Sequence, residues 1–106
     1  MATVITKTKG KTVITANATD AEITIAEMQT AGLTITKADI VEVFWTVNGT
    51  NTWLIDRGGT ALAQYSGNGN HDYASSGLTL ATGNTSDMGL TLSGGTGFIV
   101  VIVHTR

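Results

Sequence analysis

The chain has 106 residues, a formal net charge of −2, charged residues at only 13%, and neither cysteine nor proline. That length makes one domain with a modest core, short of what usually encloses a catalytic cleft, and the missing thiols exclude disulfides and thiolate metal sites. So few solvating charges on a small domain imply that much of its surface ends against protein.

The charge is uneven. Lys7, Lys9 and Lys11 fall in the first sixteen residues with no acid among them, and the remainder sets Lys37, Arg57 and Arg106 against all eight acids. Such a basic segment on an acidic body suits docking to an acidic protein surface; the alternative is that the lysines only keep an edge strand soluble. No aromatics interleave with them, so nucleic acid is not an expected partner. The N-terminus lacks the apolar core of a signal peptide and no run reaches membrane-spanning length, so a protein made in a cytoplasm, without a membrane partner, is expected.

In chain order, Thr3 to Lys7 and Lys11 to Ala16 read as short strands bent at Gly10. Residues 1–19 form a basic N-terminal arm or edge strands, and residues 20–106 a single β domain. Glu22 to Ile25 suits a strand, and Thr24-x-x-Glu27 resembles a capping box before a short helical turn over Ala26 to Ala31. Leu33 to Thr36 is another brief strand.

The clearest signal follows. Val41 to Val47 and Thr52 to Asp56 read as an antiparallel hairpin joined through Asn48-Gly49-Thr50-Asn51, because Asn-Gly supplies the positive φ that a twisted hairpin turn demands. Val43, Trp45 and Val47 then share one face with Thr52 and Leu54, and Phe44 shares the other with Trp53 and Ile55. Large apolar side chains on both faces cannot be left in water cheaply, at about 1.5–3 kcal/mol each. One face is expected inside the domain and the other against a second layer or subunit, which makes Phe44, Trp53 and Ile55 interface candidates together with Lys7, Lys9 and Lys11.

Thr60 to Tyr65 is a further strand, Ser66 to Gly77 a long Gly/Asn/Ser loop, and Leu78 to Ala81 a short strand. A second hairpin closes the chain, with Met88, Leu90 and Leu92 alternating before a Gly94-Gly95 turn. The unbroken run Phe98 to Val103 is expected as a central strand with both faces covered. The whole predicts an all-β fold, an antiparallel sandwich or jelly-roll-like barrel of about eight short strands with at most one short helix.

Chemistry is thin. His71-Asp72 offers an imidazole and a carboxylate, but a metal needs three or four convergent ligands and His104 is the only other histidine. Ser66, Ser75 and Ser76 flank His71 without a nucleophile elbow. Asp56, Asp72 and Asp87 are loop acids that meet no stated need, and Arg57 either anchors a partner carboxylate or makes a local ion pair. No catalytic residue, metal ligand or cofactor is expected. Phe44 and Trp53 as a sugar-stacking platform, as in small β-sandwich lectins, is the reading that stands against core or interface.

At Phe44-Trp-Thr-Val-Asn-Gly49, Ser66-Gly-Asn-Gly-Asn70, Leu90-Thr-Leu-Ser-Gly-Gly-Thr-Gly97 and the apolar last strand, the chain resembles small virion structural proteins of marine tailed bacteriophages, mainly over residues 40–106. The resemblance implies a non-enzymatic capsid decoration (cement) protein on the exterior of the head. It would bridge subunits of the major capsid protein as a homo-oligomer, often a trimer in such proteins. The alternatives are a neck, tail or head-fibre component, or a carbohydrate-binding β-sandwich module.

Overall fold

The computed structural model describes residues 3–8, 11–28, 37–72 and 85–105. Among them run nine strands and one helical turn: β1 (Thr3–Thr8), β2 (Lys11–Ala16), β3 (Asp20–Ile23), α1 (Ile25–Met28), β4 (Ala38–Val47), β5 (Thr52–Arg57), β6 (Thr60–Ser66), β7 (Asn68–Asp72), β8 (Met88–Leu92) and β9 (Gly97–Thr105). They form two antiparallel sheets, one of five strands in the order β1-β2-β9-β4-β7 and one of four in the order β3-β8-β5-β6. The fold is the expected all-β sandwich rather than a closed barrel. Leu33 to Thr36 and Leu78 to Ala81 lie outside the described residues.

Across the core β4 meets β5 and β6, through Trp53 Nε1 donating to the Thr46 carbonyl and through the Trp45–Tyr65 stack. The chain passes from one sheet to the other six times: at residues 17–19, 48–51, 67 and 93–96, and between β3 and β4 and between β7 and β8.

Both expected hairpins are therefore corrected. β4 pairs not with β5 but with β9, through Phe44↔Val100 and Trp45↔Ile99, and β5 pairs with β8, through Trp53↔Leu92 and Ile55↔Leu90. The physical reason lies in the two-faced apolar pattern itself. A flat ribbon of β4 and β5 would group Phe44 with Trp53 and Ile55. Splitting the strands between sheets instead turns Trp53 and Ile55 toward Val43 across the core, where all three are fully buried, and leaves Phe44 outside. A reversal with positive φ at Gly49 serves either arrangement, so the turn signal alone does not choose between them.

Neighbouring crossings are hydrogen-bonded to one another at the same end of the sandwich. The Leu92 amide donates to Thr19 Oγ1 at 3.1 Å, the Thr96 amide to Asn48 Oδ1 at 2.9 Å, and the Val47 amide to the Gly67 carbonyl at 2.8 Å. Ser93 binds the second crossing from both sides, accepting from the Thr52 amide at 2.8 Å and donating through Oγ to Asn51 Oδ1 at 3.3 Å. In this way the polar Asn/Thr/Ser/Gly segments satisfy backbone groups that leave the ladders.

The expected loop over Ser66 to Gly77 is corrected in its first part. Gly67, at φ 68°, carries the chain across in a single residue, and Asn68–Asp72 then pairs with β4 as an edge strand. Composition hid this strand because Asn and Gly have little strand preference. What it needs instead is a small residue: a Cβ on Gly69 would stand 3.1 Å from Trp45 Cζ2. The Trp45 ring lies beneath β7, stacked on Tyr65 of the other sheet at 4.1 Å between centroids, and its Nε1 donates to the Ser66 carbonyl at 3.0 Å.

The capping box forms. The Thr24 amide donates to Glu27 Oε1 at 3.1 Å and the Glu27 amide to Thr24 Oγ1 at 3.1 Å, which fixes α1 as one turn. Met28 at its end is fully buried, and its carbonyl accepts from buried Thr12 Oγ1 at 2.9 Å, so α1 seals the core where the five-stranded sheet outreaches the four-stranded one. A bulge between Ile40 and Glu42 shifts the alternation of β4, and both Ile40 and Val43 thereby face inward.

Candidate functional site

β9 is the middle strand of the five-stranded sheet, as its apolar run implies, but only one of its faces is covered. Ile99, Val101 and Val103 are fully buried, whereas Phe98 is 42% exposed and Val100 and Ile102 are partly exposed on the outside. The expectation that both faces are covered is thus corrected within this chain. The register carries the outer row sideways: Val13 and Thr15 of β2 lie beside Ile102 and Val100, Val4 of β1 beside Thr15, and Phe44 of β4 beside Val100. Val4 is 62% and Phe44 39% exposed. An apolar band therefore crosses β1, β2, β9 and β4 on one sheet face.

Polar groups frame it. At one end stand exposed Lys11 and His104, which are register partners. Beyond Phe44 and Glu42 the edge strand β7 sets Asn68, Asn70 and Asp72, paired with Thr46, Phe44 and Glu42 in turn.

The interface candidates separate. Phe44 lies on the outer face and Lys11 at its rim. Trp53 and Ile55 are fully buried between the sheets, which removes them from any surface of the chain and deprives the sugar-platform reading of its tryptophan. Trp53 instead pins a crossing, its Nε1 donating to the Thr46 carbonyl at 3.1 Å. Lys7 belongs to β1 and Lys9 lies outside the described residues. Val4, Phe98, Val100 and Ile102 were not singled out. The signal for the last three was in the sequence, since an unbroken apolar run in a sheet covered on one side must expose every second residue.

Arg57 is neither a partner anchor nor a surface ion pair. It is 2% exposed, points inward from the end of β5, and donates from Nη1 to the Ala38 carbonyl at 2.7 Å and from Nε and Nη2 to the Ser86 carbonyl at 3.1 and 3.0 Å. Burial pushes its guanidinium below the usual value, and the charges of Asp39 and Asp87 draw it back up. It braces the end of the sandwich at which β4 and β8 begin, opposite residues 48–51 and 93–96.

His71 stands beside Val43 on β7 and His104 beside Asp39 on β9, so strand β4 separates the two imidazoles. Among the described residues no three His, Asp or Glu side chains group as metal ligands. Asp56 Oδ2 accepts from the Gly59 amide at 3.1 Å, a turn-closing role.

No family model, curated protein or solved structure matches the chain.

Proposed function

We propose that this chain is a non-enzymatic capsid decoration protein of a bacteriophage, which binds the exterior of the head and bridges subunits of the major capsid protein. The observation that carries the reading is the apolar band over β1, β2, β9 and β4, with Val4, Phe44 and Phe98 at 62, 39 and 42% exposure. A contiguous apolar area on a small, weakly charged domain favours burial against protein. The resemblance of the Phe44 to Gly49 and Leu90 to Gly97 motifs to phage virion proteins supplies the kind of partner. Weak single contacts repeated over a shell add by multivalency, and self-association into a trimer at a subunit junction would increase that further.

The test uses heads assembled without the protein. Added wild-type chain is expected to bind the exterior at regular sites in many copies and to raise the temperature at which the heads rupture. Val100→Lys combined with Phe44→Ser, at positions outside the core, is expected to keep the far-UV spectrum and lose head binding. Undiminished binding by that variant removes the band from the role, and localisation to the neck, tail or a fibre replaces decoration with another virion function.

A further inference from the structure

At the end of the sandwich that holds residues 48–51 and 93–96, an open depression of about 310 Å³ is lined by Thr46, Val47, Asn48, Asn68, Thr96 and Gly97. None of these residues carries a charge. A phosphate, a carboxylate or a cation would find no ionic partner there, whereas a neutral ligand rich in hydroxyls would find amides and hydroxyls in close order.

The walls are held in place by the crossings themselves. Asn48 Oδ1 accepts from the Thr96 amide at 2.9 Å and from Asn51 Nδ2 at 3.3 Å, and the Asn48 amide donates to the Thr96 carbonyl at 3.0 Å. With its oxygen so engaged, Asn48 has Nδ2 left to donate. Beneath it Gly97 lets β9 approach β4 closely, since a Cβ there would meet the Thr46 carbonyl oxygen at 2.5 Å and Val47 Cα at 3.0 Å.

One more element completes the set. Phe98 is the register partner of Thr46, which in turn pairs with Asn68, so an exposed ring, a hydroxyl and a carboxamide stand in one row along the lip. An aromatic face beside a polar, uncharged hollow suits the C–H face of a pyranose, with the hydroxyls reaching the amides. The volume is at the small end of ligand sites and accommodates a single sugar unit.

We propose that this depression is a saccharide-binding site, in which Phe98 stacks on one pyranose ring while Asn48, Asn68, Thr46 and Thr96 bond its hydroxyls. It uses the edge strand and the crossings, not Trp53, and shares only Phe98 with the docking band.

The experiment is a ¹⁵N-NMR titration of the full chain with methyl α-mannoside, methyl β-galactoside, methyl β-glucoside and N-acetylglucosamine. At least one is expected to give saturable shifts at Asn48, Asn68, Thr96 and Gly97. Phe98→Ala, at an exposed position, is expected to leave the other resonances in place and to weaken that binding about fivefold, the worth of one aromatic face. Asn68→Ala is expected to weaken it as well. Absence of saturable shifts with all four sugars overturns the site, as does a response unchanged in Phe98→Ala. Loss of head binding by Phe98→Ala with no sugar response likewise overturns it and leaves the ring to the docking band alone.

Discussion

Replacing Arg57 with leucine asks what holds the end of the sandwich at which β4 and β8 begin. The substitution removes three hydrogen bonds, from Nη1 to Ala38 and from Nε and Nη2 to Ser86. Ala38 is fully buried, and its orphaned carbonyl costs about 1–3 kcal/mol. Asp39 is 3% exposed and loses the favourable field of the nearby cation. Ser86 is only partly buried and recovers water, and leucine returns apolar packing, so from the charged hydrogen bonds lost a net cost of about 3 kcal/mol is expected. The guanidinium is shifted downward on folding, so its desolvation opposes the fold at every pH below the folded-state value, and the hydrogen bonds must outweigh it. Urea unfolding followed by tryptophan fluorescence measures the outcome. With a slope of about 1.5–2 kcal/mol per molar urea, the midpoint is expected to fall by about 1.5–2 M. Arg57→Lys is expected to recover less than half, because one ammonium cannot span both carbonyls. A cycle with Asp39→Asn is expected to show coupling of about 1 kcal/mol. A loss in Arg57→Leu below about 1 kcal/mol, or no coupling, refutes the brace.

Three smaller perturbations test other parts of the fold. Gly97→Ala forces a methyl against the Thr46 carbonyl and is expected to cost about 2 kcal/mol by the same urea assay; a neutral result means that the crossings yield. Thr105→Val removes a buried hydroxyl that has no hydrogen-bond partner, and a gain of about 1 kcal/mol is expected, with a lowered melting temperature as the contrary outcome. Asn48→Ala takes the acceptor from the Thr96 amide, and a loss of about 1 kcal/mol with faster hydrogen exchange at Thr96 is expected; unchanged exchange at that amide contradicts the link between crossings.

Strand positions were largely legible from alternation and turn residues. Lys11–Ala16 agrees end to end, Thr52–Arg57 and Thr60–Ser66 each run one residue further than expected, and the capping box at Thr24 and Glu27 forms as its spacing implies. Partners were not legible. Asn48-Gly49 and Gly94-Gly95 announce that the chain reverses, and a reversal is equally the bend of a hairpin or the passage between two layers about 10 Å apart. The deciding clue was energetic: a ribbon apolar on both faces is relieved when its strands face each other, as Val43 and Trp53 do. β7 stayed hidden because Asn-Gly-Asn-His-Asp has little strand preference, and its Gly69 is required by the ring of Trp45 beneath it. Arg57 was hidden because burial of a cation depends on carbonyls supplied by Ala38 and Ser86, nineteen and twenty-nine residues away. The candidate surface was half legible: Phe44 came from the alternation of its strand, and Phe98, Val100 and Ile102 needed knowledge of which side of β9 is covered.

The strand orders also govern when the molecule can fold during synthesis. β9 sits between β2 and β4, and β8 between β3 and β5, so a nascent chain lacking residues 88–105 has two separate pairs, β1-β2 and β4-β7, where one sheet should be, and an isolated β3 in the other. The β8–β9 segment acts as a keystone, entering a gap between elements made earlier. Assembly therefore waits on the ribosome until that segment has emerged, with the Trp53 side of the core unprotected in the meantime.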